Sequence, residues 1–201
     1  MKYKSIIILL VFTKVFSQGI TFPDDPSQVE EVTILNVPED YSSIQVALST
    51  ADSGDTVLVQ PGTYTENIIW PETNGIKLIS AGDSSNTIID GGGVSSVIYM
   101  NPQSTTIDTT TLIKGFKVIN GGNFSGASGM YIVGSGLKVK EVSIFNCDNG
   151  GFGASNASDI ILRNCNFSFN SGRGLSADNC SDFQVYNSSF EFGGLSISNS
   201  D

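Results

Sequence analysis

The sequence predicts an all-β fold, a right-handed parallel β-helix made of coils of about 20–23 residues with a short N-terminal capping helix. Three observations predict it. Segments that begin with glycine repeat in the second half of the chain, apolar residues recur at matching positions of those segments, and one short segment near residue 45 has helical periodicity. The right hand follows the general rule for connections between parallel strands.

The first 17 residues have the features of a secretory signal peptide. Lys2 and Lys4 precede an apolar run from Ile6 to Phe12, and the small residue Ser17 follows at the expected cleavage position. The run is too short to span a membrane, so we expect a mature chain without a transmembrane segment, secreted or at the cell surface. The alternatives are a buried strand or a retained anchor. Residues 18–37, with acids and prolines but no periodicity, are interpreted as an acidic extended leader.

The chain is acidic and contains no histidine. Its 10 basic and 20 acidic residues give a net charge of −10 at pH 7, which disfavours nucleic acid and anionic lipid as main partners. The three cysteines, Cys147, Cys165 and Cys180, are odd in number and match no zinc-binding spacing. We therefore expect them to be small buried hydrophobic side chains.

A short amphipathic helix is predicted at residues 42–51, within "EDYSSIQVALSTADSG". Ser42 and Gln45 have the spacing of a capping box, and Gly54 follows as a stop signal. The apolar residues at helical spacing are Ile44, Ala47, Leu48 and Ala51. The helix is expected to cover the open apolar end of the first coil.

The repeats read "GMYIVGSGLKVKEVSIFNCDNG", "GFGASNASDIILRNCNFSFNSGR", "GLSADNCSDFQVYNSSFEFG" and "GLSISNSD", with starts 22, 23 and 20 residues apart. Each full repeat holds three strand-sized pieces whose apolar residues should stack inside the solenoid. The stacked sets are Met130, Phe152, Leu175 and Leu195 in the first strand, Val139, Leu162 and Val185 in the second, and Ile144, Phe167 and Phe190 in the third.

One-residue turns separate the second and third strands of the repeats. They are occupied by Gly115, Glu141, Asn164 and Asn187. Side chains of Asn164 and Asn187, stacked on consecutive coils, are predicted to hydrogen-bond to each other as a ladder. The alternative is that they are isolated turn asparagines.

Two segments resemble the secreted right-handed parallel β-helix proteins of the pectin-lyase-like superfamily. The segment "SGDTVLVQPGTYTENI" is similar to the N-terminal cap and first coil of that superfamily, and "DIILRNCNFSF" is similar to its strand–Asn–strand unit. The resemblance covers residues 38–201, a β-helix domain that we expect to be truncated at its C-terminus. It implies a fold more than a function, since the superfamily includes lyases, hydrolases, epimerases and non-catalytic surface proteins.

A cationic and aromatic stripe is the first candidate site. The outward positions of the second strand are Lys114, Lys140, Arg163 and Tyr186 in successive coils. With strands about 4.8 Å apart, the stripe could contact an extended acidic glycan on several coils. The alternative is an ordinary solvated strand position that discourages edge aggregation.

A pair of carboxylates is the second candidate site. Asp159 and Asp182 each close an "NxSD" turn, and Asn199 and Asp201 repeat that pattern in shortened form. Stacked carboxylates repel unless a cation bridges them, so calcium is the one cofactor that the sequence suggests. The alternative is a pair of solvated turns.

The resemblance implies that a substrate would lie along the first sheet, over carboxylates or calcium with a nearby base. The matching outward positions are Tyr131, Val133, Gly153, Ser155, Ser176, Asp178, Ser196 and Ser198, of which only Asp178 carries a charge. No catalytic residue is therefore assigned. The sequence favours a secreted or cell-surface repeat protein that binds a polysaccharide or cell-surface glycan, or adheres, without catalysis. The alternative is the N-terminal part of a polysaccharide-degrading enzyme, similar to pectate or uronate lyases, with catalytic coils beyond residue 201.

Overall fold

The computed structural model describes residues 31–122 and 128–198. These residues form one helix and nineteen short strands. In chain order the elements are β1 (Ile34–Val37), α1 (Ile44–Thr50), β2 (Thr56–Val59), β3 (Gly62–Thr65), β4 (Ile68–Ile69), β5 (Lys77–Ser80), β6 (Thr87–Asp90), β7 (Ile98–Met100), β8 (Leu112–Lys114), β9 (Lys117–Ile119), β10 (Met130–Val133), β11 (Leu137–Lys140), β12 (Ser143–Phe145), β13 (Gly150–Ser155), β14 (Ile160–Arg163), β15 (Asn166–Ser168), β16 (Arg173–Asp178), β17 (Gln184–Tyr186), β18 (Ser189–Glu191) and β19 (Leu195–Ser198).

Three parallel sheets run along the solenoid. Sheet A has the order β1-β2-β5-β8-β11-β14-β17, sheet B the order β3-β6-β9-β12-β15-β18, and sheet C the order β4-β7-β10-β13-β16-β19. From β2 onward the chain visits sheets A, B and C in turn, and every named strand pair is parallel. Each short strand therefore gains hydrogen-bonding partners from the coils on either side, which confirms the predicted parallel solenoid.

The core is a set of apolar columns along the solenoid axis, and the predicted register is confirmed. Met130 pairs with Phe152 in sheet C, Val139 with Leu162 in sheet A, and Ile144 with Phe167 in sheet B. All six side chains are buried. Because side chains alternate between the two faces of a strand, this register also determines which residues face outward.

The three cysteines belong to this interior, as the sequence predicts. Cys147, Cys165 and Cys180 are all buried and free of disulfides. Burial raises the pKa of the Cys147 thiol to about 11, and it also raises the pKa of Cys165. Neutral thiols in an apolar column behave as small hydrophobic groups.

The one-residue turns between sheets A and B have a left-handed backbone, but the predicted ladder on them is wrong. Glu141, Asn164 and Asn187 have φ of 55°, 55° and 46°. The bond that crosses the coils there is between backbone groups, from Asn164 N–H to the Tyr186 carbonyl at 3.0 Å. A left-handed turn directs the backbone amide along the axis, so the side chains are not needed for this link.

Side-chain amide ladders occur at two other turns. Asn179 Nδ2 donates to Asn156 Oδ1 at 2.7 Å, at the turn between sheets C and A. After sheet B, Asn146 donates to Asn120 at 2.8 Å, and Asn120 donates to Asp90 at 2.8 Å. The ladder was therefore predicted correctly in kind and assigned to the wrong turn.

Helix α1 covers the N-terminal end of the core with the predicted apolar residues, but its cap differs from the prediction. The N-cap is Ser43, whose hydroxyl accepts from Val46 N–H, and Ser42 does not form the capping box. Gln45 instead bonds the edge strand β4, accepting from Ile69 N–H at 2.7 Å and donating to the Ile69 carbonyl at 3.0 Å. The side chain thus replaces a neighbouring strand at an exposed edge.

The solenoid begins earlier than the predicted boundary at residue 38. Residues 34–37, assigned to the extended leader, form β1, which pairs with β2 in parallel register. Leu35 and Val37 are buried in the core, a two-residue alternation too short to recognise as a strand in the sequence. The predicted signal peptide at 1–17 and residues 18–30 of the leader lie outside the described residues.

Candidate functional site

The predicted cationic stripe lies on the outer surface of sheet A. Lys140 is in register with Lys114 of the preceding coil and with Arg163 of the next, and Arg163 is in register with Tyr186. The residue that precedes each of these three cations on its strand points inward, and these preceding residues are the buried Ile113, Val139 and Leu162. Four consecutive coils therefore present one continuous column to solvent.

Two further lysines extend this column into a surface. Lys77 on β5 and Lys138 on β11 also face outward on sheet A. We call the set Lys77, Lys114, Lys138, Lys140 and Arg163 the basic face. Of the seven basic residues between positions 31 and 198, only Lys117 and Arg173 lie on other sheets. Lys77 and Lys138 were missed because the stripe was defined on a single strand position, which neither of them occupies. Lys138 could have been found, because it lies two residues before Lys140 and alternate residues of a strand share a face.

The charged groups of the basic face differ in their contacts, and Lys77 Nζ donates to the Gly54 carbonyl at 3.1 Å. Lys114 Nζ lies 3.5 Å from Glu141 Oε2, an exposed ion pair of the kind that contributes about 0–1 kcal/mol. The Arg163 guanidinium carbon lies 4.7 Å from the centre of the Tyr186 ring, within the range of a cation–π contact. Lys140, at the centre, has no hydrogen-bond or ion-pair partner among the described residues.

A carboxylate lies beside the basic face. The hydrogen bond from the Thr110 hydroxyl, followed by that from the Thr110 N–H, lowers the pKa of Asp108, and Lys138 adds a smaller electrostatic contribution. Asp108 therefore stays ionised well below neutral pH. It limits the positive potential on that side of the sheet.

The basic face combines apolar surface with cations that can pair with anions. Half-buried Leu112 and Ile161 alternate with Lys138 in the outward column next to Lys140, so that cations are interleaved with apolar surface. Such a mixed surface fits a ligand with both charged groups and apolar faces.

The two predicted metal ligands lie on the same sheet at the other end of the strands. Asp159 and Asp182 precede β14 and β17, have φ of 56° and 50°, and are exposed on consecutive coils, with Asp159 N–H bonded to the Ser181 carbonyl at 3.2 Å. Arg163 follows Asp159 by four positions along the strand, a distance of about 13 Å. Within residues 31–122 and 128–198 no group of three or more histidine, cysteine or acidic side chains could hold a metal ion. Calcium binding stays a prediction, and Asn199 and Asp201 lie outside the described residues.

The outer surface of sheet C carries stacked aromatic rings and a depression. The rings of Tyr99 and Tyr131 stack with centroids 6.0 Å apart and planes at 11°. Beside Tyr131 is an open depression of about 330 Å³, lined by Ser128, Tyr131, Asn149, Gly150, Phe152, Gly153, Gly172, Arg173 and Ser176. Asp178, the charged residue predicted on this surface, is exposed but does not line it. Arg173, which sequence reasoning missed, is the charged residue of the lining. It begins β16 and is in register with Gly150, another lining residue.

The family comparison agrees with this architecture. The family described as "Right handed beta helix region" matches residues 66–200, more than half of the chain, and the chain belongs to this family. The match includes "DIILRNCNFSF" and reaches only the last three residues of "SGDTVLVQPGTYTENI", and the resemblance of the chain to right-handed β-helix proteins is confirmed. No curated protein sequence matches the chain. Among the described residues no helix has the length and apolar character needed to cross a membrane.

Solved structures with similar coils share little sequence with this chain. A pectin methylesterase from Erwinia chrysanthemi is 12% identical with a TM-score of 0.43, over 85% of this chain and 66% of its own. A rhamnogalacturonan lyase is 16% identical with a TM-score of 0.47, over 84% and 56%. A protein of Geobacillus virus E2 is 18% identical with a TM-score of 0.45, over 83% and 48%. This chain thus spans from about half to about two thirds of their lengths, and similarity this low carries no argument about activity.

Proposed function

We propose that this chain is a secreted or cell-surface β-helix protein that binds acidic polysaccharide through the basic face of sheet A without cleaving it. One observation carries the proposal: five of the seven basic residues between positions 31 and 198 lie on one outer surface of an otherwise acidic protein. A random distribution would divide them among three sheets. The apolar N-terminal run after Lys2 and Lys4 supports export.

The basic face suits an extended polyanion better than a compact one. Lys114, Lys140 and Arg163 lie on three consecutive coils, and strands in a sheet are about 4.8 Å apart, so cations repeat along the solenoid axis. A polymer lying along that axis could place acidic groups against several coils together. Nucleic acid is a weaker candidate, since the acidic remainder of the protein would repel a long polyphosphate.

A second candidate function is that of a polysaccharide-degrading enzyme acting over sheet C. The depression beside Tyr131 favours it, because aromatic, amide and cationic residues, namely Tyr131, Asn149 and Arg173, line it together. Its described lining contains no carboxylate, and cleavage of an acidic glycan needs both a base and groups that stabilise developing charge. We therefore propose binding over catalysis for this chain.

Retention on immobilised polygalacturonate tests the proposal. We expect the wild type to be retained at low salt and released at high salt, because the contacts are exposed. The variant Lys140→Ala/Arg163→Ala should bind roughly 2- to 30-fold more weakly, since each exposed ion pair contributes about 0.2–1 kcal/mol. The matched control is Lys117→Ala/Arg173→Ala, which removes the same charge from the other two sheets.

The results separate the candidates. Equal weakening in both double variants would show that only net charge matters and would contradict a site on sheet A. A parallel assay measures ultraviolet absorbance of unsaturated products from polygalacturonate or alginate with calcium present. Robust product formation would show that the chain is a lyase and end the non-catalytic proposal.

A further inference from the structure

The rings of three phenylalanines, of which Phe145 is half-buried, form a continuous row on the outer surface where sheet B meets the turn that follows it. The Phe145 and Phe169 rings have centroids 5.1 Å apart, and those of Phe169 and Phe192 are 4.7 Å apart. Phe169, which has a coil on each side, is 51% exposed. We call these three residues the phenylalanine ridge. None of them belongs to the basic face or to the depression over sheet C.

The backbone beneath the ridge makes phenylalanine an unusual choice. The residue immediately after each of the last four strands of sheet B has a left-handed backbone, with φ of 57°, 54°, 55° and 56° at Asn120, Asn146, Phe169 and Phe192. Asparagine tolerates this conformation and forms the amide ladder at the first two positions. A bulky aromatic residue there is a true conformational outlier.

These rings pack on one another and not in the core. Side chains that stabilise the solenoid point inward, as Phe167 does, whereas Phe169 remains half exposed with a neighbouring ring on each side along the axis. A strained backbone that presents apolar surface to water on consecutive coils is the kind of outlier that indicates a function.

We propose that the phenylalanine ridge is a second glycan site, which binds the apolar ring faces of an uncharged polysaccharide. The aromatic π-system is negative over its face, and the C–H groups of a pyranose ring carry partial positive charge, so the two surfaces attract. Lys117 lies 5.2 Å from the Phe145 ring centre, and exposed Glu191 on β18 immediately precedes Phe192. A cation and an anion thus adjoin the rings, which fits a neutral ligand better than a polyanion.

The size of the ridge distinguishes a sugar from a protein partner. A fully buried aromatic side chain removes about 150–250 Å² from water, so three partly exposed rings offer at most a few hundred Å². A stable protein interface needs about 800 Å² on each partner. Coils about 4.8 Å apart instead present aromatic surface in steps along the axis, suited to a narrow, extended ligand.

The test uses the full chain and the variant Phe169→Asn/Phe192→Asn. Asparagine is the residue found at the equivalent positions of the two preceding coils, so the variant should keep or raise the thermal unfolding midpoint. Binding is measured on an array of cellohexaose, xylohexaose and mannohexaose, with polygalacturonate and phosphatidylcholine vesicles alongside. We expect the wild type to bind at least one neutral oligosaccharide and the variant to bind it at least about tenfold more weakly.

The Lys140→Ala/Arg163→Ala variant provides the matched control. It should keep neutral binding, and the ridge variant should keep polygalacturonate binding, so failure of one site is distinguishable from failure of the other. Absence of neutral binding in the wild type, unchanged binding in the ridge variant, or loss of both ligands in one variant would overturn the proposal. Retention on vesicles alone, lost in the ridge variant, would assign the ridge to membranes instead.

Discussion

At the scale of single residues, the position of Cys165 shows how strictly the register controls exposure. Its side chain is 3% exposed, whereas Arg163, two residues earlier and followed by a left-handed turn, is exposed. A shift of the strand by one residue would exchange inner and outer faces. The reactivity of this thiol therefore reports on the register of the whole sheet.

We predict that Cys165 reacts slowly with thiol reagents in the folded protein. Burial raises the pKa of its thiol, so little of the reactive thiolate exists at neutral pH, and the reagent must also reach the interior. Labelling is measured by mass spectrometry of peptides, and it should become fast in urea. An exposed control is Ser189→Cys, on the outer surface of β18. Fast native labelling of Cys165 would mean that the assigned register is wrong.

At the scale of structural elements, the long connection between β7 and β8 is held by one carboxylate. Glu72 accepts hydrogen bonds from the N–H groups of Gln103, Ser104 and Thr105 at 2.7, 3.0 and 3.3 Å. The Ser104 hydroxyl donates a further bond at 3.0 Å. These donors, beginning with the Gln103 N–H, lower the pKa of Glu72. The connection is thus fastened to the preceding coil by a side chain that the sequence did not single out.

We predict that Glu72→Gln loosens this connection in a pH-dependent way. The amide keeps one acceptor and loses the charge that strengthens the bonds, so the amides of residues 103–105 should exchange hydrogen faster at neutral pH. Because the folded pKa is lowered, the carboxylate stabilises the loop above the ordinary value of 4.5, and this stabilisation is lost as pH falls through the lowered value.

The variant and the wild type should therefore converge in acid. The matched control is Glu191→Gln, at an exposed carboxylate elsewhere, which should leave exchange at residues 103–105 unchanged. An exchange difference that persists undiminished below the lowered pKa would contradict the role of the ionised carboxylate.

At the scale of the whole molecule, the solenoid has no single centre, because each coil packs mainly on its two neighbours. Leu162 lies between Val139 and Val185 in its column, so removing its side chain leaves a cavity in contact with coils on both sides. Damage to one coil should therefore weaken a long stretch of the solenoid.

We predict that Leu162→Ala lowers the free energy of unfolding by about 2–5 kcal/mol, the usual range for a buried leucine. The neighbouring substitution Ile161→Ala, on the outer face of the same strand, should cost about 1 kcal/mol or less. Urea denaturation with both variants measures the difference. Equal losses would show that the two faces of sheet A are not distinguished by burial.

The sequence predicted the repeat well and the ends of the fold less well. Matched apolar positions such as Val139 and Leu162 identified the coils, because a stacked core imposes the same requirement on each one. Strand β1 was missed because a strand of four residues without a repeated neighbour carries too little pattern. The amide ladder was assigned to Asn164 and Asn187 because the sequence reveals turn residues but not which side chains point along the axis.

The sequence by itself determined the parallel solenoid, the inward columns and the stripe formed by Lys114, Lys140 and Arg163, because alternation along a strand and repetition between coils are periodic in one dimension. Only the tertiary structure decided which separate segments share a surface. It placed Lys77 and Lys138 with the stripe, Arg173 beside Tyr131, and Phe145 against Phe169 and Phe192. The physical reason is that the connections between strands differ in length from coil to coil. Which residues come to lie side by side therefore follows from the backbone hydrogen bonds between strands, and no single repeat specifies those bonds.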